Sequence, residues 1–184
     1  MTRSALLAAA AALSLSACAA TVDEGGDGSS ASASAAAGDM TPETASAFVP
    51  MAASSDTFEI NSSQLALQRA TGADTRAYAQ MMIRDHSNTT QQLSAAARTS
   101  GIEPPPPGTM LPMHQALFEQ LQNAGTGAAF DRTYWTLQAQ SHQMALDLHS
   151  NYARNGDQPA LRQVAQTATP IVRMHLEEAR QKAR

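Results

Sequence analysis

YAQMMIRDHSNTTQQL, residues 78–93, carries the fold in its spacing. Tyr78, Met82 and Leu93 fall on one side of a 3.6-residue helix, and no alternation of period two competes with that pattern. His86 comes four residues after Met82, eight after Tyr78 and seven before Leu93, so it points inward with the apolar stripe. Asp85 stands at the edge of the same face. An inward imidazole with a carboxylate beside it can be a metal ligand, an acid–base group, or a core histidine whose ring is hydrogen-bonded.

Working outward, the punctuation is that of a helical protein. Helix one is predicted over about 51–70, with Phe48, Met51, Ala52, Phe58, Ser62, Leu65 and Ala66 at spacings of three and four and a stop at Thr71-Gly72. Asp74 is expected to cap helix two, which Gly101 and the run Pro104–Pro107 must end. A short amphipathic piece, about 112–123, carries Leu117 and Leu121. Helix three follows Gly125-Thr126-Gly127, with Thr126 as its cap and Phe130, Tyr134, Leu137, Met144, Leu148 and Tyr152 on one face, and stops at Asn155-Gly156. Asp157 then caps helix four, whose stripe is Leu161, Val164, Ala168, Val172 and Leu176, with a kink expected at Pro170. Upstream, Thr41-Pro42-Glu43 reads as the start of the folded domain, and Pro50 as a break between a leading turn and helix one. Four long helices with one long connection, between the second and third, predict an all-α, ferritin-like four-helix bundle with one crossover.

Composition agrees. At 184 residues and 43% apolar content the chain has enough material for one domain with a sizeable core, and the scarcity of aromatics (4%) beside abundant Ala, Gln, Met and Leu favours helix. The formal charge is −4 with no Lys/Arg cluster to track phosphates, so no nucleic-acid partner is expected.

The first residues, MTRSALLAAAAALSLSAC, place Arg3 before an apolar run too short to span a bilayer but suited to a signal peptide, residues 1–17. Leu15-Ser16-Ala17-Cys18 resembles the bacterial lipobox, in which the chain is cut before a cysteine that is then acylated. An ordinary secretory signal cut near Ala17 or Ala20 is the alternative. Cys18 is the sole cysteine, so it has no disulfide partner in an oxidising compartment, and Ala19 after it lacks the aspartate that retains such lipoproteins at the inner membrane. The expectation is an exported outer-membrane lipoprotein facing the periplasm, anchored through lipid at Cys18, with residues 18–40 as a flexible Ala/Gly/Ser/Asp tether to a bundle domain at 41–184.

At about 100° per residue, further ionisable groups face inward. Glu59 is seven after Ala52, His175 is seven after Ala168, and His142 shares a face with Asp131, eleven residues earlier. Unpaired buried charge is costly, so these groups are expected to meet. Glu59, His86, His142 and His175 form the kind of N/O set that holds Zn, Fe, Cu or Mn, with Asp85, Asp131 and Tyr134 orienting the imidazoles from behind. A di-iron site would need Glu-x-x-His on two helices, but Ile83 precedes His86 by three and Val172 precedes His175 by three, which argues against ferroxidase chemistry. His114 and His149 read as surface or helix-end residues. Met81, Met82, Met110, Met113, Met144 and Met174 raise copper handling, though their stripe spacing fits core packing better. No reaction can be read from the sequence, and enzyme activity is not the favoured expectation.

The stretches FEINSSQLALQRA, YAQMMIRDHSNTTQQL, FDRTYWTLQAQSH and TPIVRMHLEEA resemble the four segments of the domain of unknown function 4142, over about residues 45–180. That family occurs in exported bacterial proteins and is similar to ferritin-like bundles. Its motif positions fall on Glu59, Asp85, His86, Asp131, Tyr134, His142 and His175. Two readings remain open: a metal-binding, stress-related bundle, or a non-enzymatic envelope module whose polar cluster fixes helix register while its surface meets a protein partner.

Overall fold

Five helices account for most of residues 42–184, which are the residues the computed structural model describes: α1 Ala45–Arg69, α2 Ala73–Thr99, α3 Pro112–Gln122, α4 Gly127–Asn155 and α5 Pro159–Lys182. The expected signal peptide 1–17, lipidated Cys18 and tether 18–40 lie outside them. None of the described helices is long and apolar enough to cross a membrane.

Three-residue turns join α1 to α2 and α4 to α5, so each pair forms an antiparallel hairpin. Two apolar clusters fix how the hairpins meet. One gathers Phe48, Val49 and Ala52 of α1, Leu93 and Ala97 of α2, Leu148 and Tyr152 of α4, and Leu161 and Ala165 of α5. The other gathers Phe58 and Ala66, Tyr78 and Met82, Leu117 and Leu121 of α3, Phe130, Tyr134 and Leu137, and Ala179. The beginnings of α1 and α5 therefore share an end with the finishes of α2 and α4. After α2 the chain must travel back along the whole bundle, through the Pro-rich segment and α3, before α4 begins. This is the four-helix bundle with one long crossover, and it pairs α1 with α4 and α2 with α5 across the hairpins.

Several local expectations change. α1 begins at Ala45, after Thr44, and runs unbroken through Pro50. Proline deletes only the bond to the carbonyl four residues back, and Ser46 is exposed, so water can take that carbonyl. α5 likewise continues through Pro170, opposite exposed Gln166. Asp157 does not cap α5. Its Oδ1 instead accepts from the first amide of α1, Ala45 N at 2.9 Å, and from Tyr152 Oη at 2.8 Å, tying the hairpins together at one end. α2 stops in a Schellman motif, with Ile102 N bonded to Ala97 O, Gly101 N to Arg98 O, and Gly101 in the left-handed region at φ 75°.

Candidate metal centre

Between the two apolar clusters lies a layer of buried polar side chains: Ser54, Ser55, Asp56, Glu59, Ser62 and Ser63 from α1, His86 from α2, Gln138, Ser141, His142 and His149 from α4, and His175 from α5. His86, His142 and His175 form a nearly equilateral triangle, with ring centroids 5.5, 5.6 and 5.4 Å apart. One nitrogen of each ring lies within 4.8 Å of one nitrogen of each of the others.

Each ring is held from behind. His86 Nδ1 lies 2.8 Å from Asp56 Oδ1, and the same carboxylate accepts from Thr89 Oγ1 at 2.9 Å and Thr90 Oγ1 at 3.0 Å. His142 Nδ1 lies 2.9 Å from the carbonyl of Gln138, one turn earlier. His175 Nε2 lies 3.1 Å from Asp85 Oδ2. A carbonyl can only accept, so His142 carries its hydrogen on Nδ1 and turns a lone pair outward at Nε2. The second nitrogens, His86 Nε2, His142 Nε2 and His175 Nδ1, are buried without a partner. So are both oxygens of Glu59, whose Oε1 is 3.5 Å from His142 Nδ1.

Burial, reinforced by the charge of His86, pushes His142 down to about 3. Burial, then the neighbouring His142 and His86, takes His175 to about 3 although Asp85 pulls the other way. His86 differs: burial opposes its charge, but the hydrogen bond and charge of Asp56, helped by Glu59 and Asp85, leave its pKa raised. Burial also raises Glu59, against the pull of His86, Ser141 and Gln138. The layer thus holds two neutral imidazoles, one imidazole stabilised as a cation by Asp56, and a fully buried carboxylate beside Ser141 and Gln138. A cation among the three rings would satisfy His86 Nε2, His142 Nε2 and His175 Nδ1 together and would displace the proton on His86.

His86, His142 and His175 therefore converge, and Asp85 backs His175, whereas Glu59 lies behind the His142 ring, on the side of its Nδ1, and is not among the mutually close ligand atoms. Asp131 does not join them. It sits at the far end of α4, where its carboxylate accepts from Gly72 N at 2.8 Å and from Thr71 N at 3.3 Å and caps the start of α2. A side chain on Gly72 would meet that carboxylate at 3.0 Å, so the close approach suits glycine. Tyr134 Oη pairs with Ser63 Oγ at 2.8 Å and touches no imidazole nitrogen. Asp56 was not among the expected site residues, although it precedes Glu59 by three and so shares its helix face. His114 and His149 are not surface residues. His114 is 1% exposed, with Nδ1 2.7 Å from Ser54 Oγ and its ring against Phe58, while His149 is 6% exposed and packs edge-on to Phe48. Met82 is fully buried and Met81, Met110 and Met144 pack around the same core, whereas Met174 is 50% exposed.

A helical bundle with a buried three-histidine cluster defines the class: an all-α protein with a candidate metal centre at mid-bundle. The profile of the domain of unknown function DUF4142 matches residues 29–181, and the chain belongs to that family. No curated protein matches the chain in sequence. Among solved structures it is similar in fold to CopM in the Cu(II)-bound form, with a TM-score of 0.64 at 20% identity, covering 76% of this chain and 95% of that chain. CopM in the Cu(I)-bound form gives a TM-score of 0.62 at 20% identity over 75% and 94% of the two chains, and CopM in the Ag-bound form 0.60 at 21% over 75% and 93%.

Proposed function

We propose that this protein is a periplasm-facing lipoprotein whose bundle binds a transition-metal ion through His86, His142 and His175, with Glu59 as a buried counter-charge behind His142. The observation that carries the reading is the orientation of the rings: each has one nitrogen tied to a carboxylate or carbonyl and the other free toward its neighbours. That is the arrangement in which outer partners fix the tautomer and aim of metal-binding histidines. Three imidazoles suit Zn, Cu or Fe, and copper is the first ion to test because CopM, of the same fold, is known in Cu(II)-, Cu(I)- and Ag-bound forms. The role is binding and handling of the ion; nothing in the layer supplies a substrate cleft, so no reaction is proposed.

The full chain, purified without a His tag and equilibrated with CuCl2, should retain about one equivalent of metal in elemental analysis, as a single closed ligand set implies. His86→Ala and His175→Ala should each retain far less. A parent that retains none would leave the second reading, a register-fixing network, which the closed bonds among Asp56, His86, Thr89 and Thr90 favour. The anchor has its own test. Intact mass of the mature protein should begin at an acylated Cys18, and an unmodified N-terminus at another residue would refute it.

A further inference from the structure

The ionisable groups around the imidazole triangle are buried to unequal depths. The side chains of His142 and His175 are 0% exposed, Glu59 1%, His86 4% and Asp56 8%, and both oxygens of Asp56 are already engaged. Asp85 is 21% exposed. One of its oxygens reaches His175 Nε2 at 3.1 Å, and the other accepts from Arg84 Nε at 2.9 Å, on a side chain that is 69% exposed. Among the carboxylates touching the triangle, Asp85 is the one that also meets solvent appreciably.

We propose, resting on the metal-binding reading above, that Asp85 is the port through which a transition-metal cation enters and leaves the centre, and that Arg84 is its latch. The carboxylate at the rim attracts the cation and offers it an oxygen beside the His175 ring, from which the ion passes around the ring to Nδ1, and this lowers the barrier in both directions. Arg84 opposes this twice, by occupying one carboxylate oxygen and by placing a positive charge at the mouth. The other approach, from the groove of about 190 Å³ under the Pro104–Pro107 segment, reaches Thr90 but then meets the saturated carboxylate of Asp56.

The test uses the full chain and CuCl2, following quenching of the only tryptophan, Trp135, whose ring lies tilted against Tyr78 with centroids 4.7 Å apart, next to the cluster. Asp85→Asn keeps an acceptor for His175 but removes the charge. Uptake and release should both slow by roughly tenfold, so that Kd moves much less than either rate. Arg84→Ala should load several-fold faster, with a rate that falls as salt is added. A residue that merely positions His175 would leave uptake unaltered and speed release, so that result in Asp85→Asn would overturn the proposal. Slowing in Thr90→Val but not in Asp85→Asn would move the entry route to the groove and overturn it equally. A metal-free measurement separates the port from the metal reading: in chelated protein, Asp85→Ala should admit diethyl pyrocarbonate to His175 while His142 stays protected. If the parent takes up no copper, the metal reading fails, and the reagent still decides the port; equal protection of His175 and His142 in Asp85→Ala rejects it.

Discussion

Chelation of the metal-loaded protein is expected to lower its melting midpoint by about 10 °C. An ion present at a thousandfold over its Kd adds about 4 kcal/mol to the folded state, and a domain of this size shifts by roughly 2–4 °C per kcal/mol. The physical source is the set of unpartnered buried nitrogens on His86, His142 and His175, which the folded chain gathers and the unfolded chain scatters. His86→Ala and His175→Ala start lower, because each opens a cavity and His86→Ala also leaves the buried Asp56 carboxylate with only Thr89 and Thr90 as partners. Their midpoints should barely respond to chelator. Thermal melts by circular dichroism, with and without chelator, decide the matter. Equal insensitivity of all three proteins would end the metal reading and leave the rings as a device for helix register.

Acid is expected to unfold the chelated protein well above the pH that ordinary carboxylate titration would require. Burial holds His142 and His175 at about 3 and His149 at about 4, and it lowers His114 as well. In the unfolded chain each of these accepts a proton near 6.5. Their folded values are depressed, so their contribution is present above pH 6.5 and is lost as pH falls toward the folded values. Two groups run the other way. His86 is raised and is already protonated when the unfolded chain begins to bind protons, and Glu59 is raised and takes up its proton early, which offsets one imidazole. Below pH 6.5 His86 is protonated in both states, so four depressed imidazoles less the one offset by Glu59 make unfolding bind about three protons, each worth roughly 1.4 kcal/mol per pH unit, and stability should decline by up to about 4 kcal/mol per unit. Helix content followed at 25 °C should collapse between roughly pH 4 and 5 for a domain of ordinary stability. His149→Leu, away from the triangle, should make the decline shallower by one proton. A melting midpoint that stays level from pH 7 to 4.5 would contradict the buried, neutral state of these rings.

Much of the fold was legible because period and punctuation are local properties. The stripes of α2, α4 and α5 and the bounds of α3 follow from spacing and from Gly and Pro alone, and the length of the Pro-rich connection decides the crossover. The site was legible in angle and not in height. Asp131 shares a face with His142, but eleven residues of helix rise about 16 Å, which carries it to the end of the bundle. Tyr134 fails for the same reason. His149 is seven residues from His142, and His114 is three before Leu117, so the periodicity that placed the other histidines inside would have placed these there too. Asp56 was legible in principle from its i, i+3 relation to Glu59, but its bonds to His86, Thr89 and Thr90 depend on how far α1 slides along α2, which no single-helix pattern contains.

The polar layer across mid-bundle also divides the molecule's cohesion. Phe48, Leu148 and Tyr152 hold one end and Phe58, Tyr134 and Leu137 the other, while the seam between them contributes little apolar attraction of its own. Such a bundle has two partly independent units of opening, each able to exchange its amide hydrogens without the other. Side chains from α1, α2, α4 and α5 meet at the seam, so a single bond-forming centre there stitches four helices at once. Its occupant would change how many pieces the protein comes apart in, as well as how tightly it is folded.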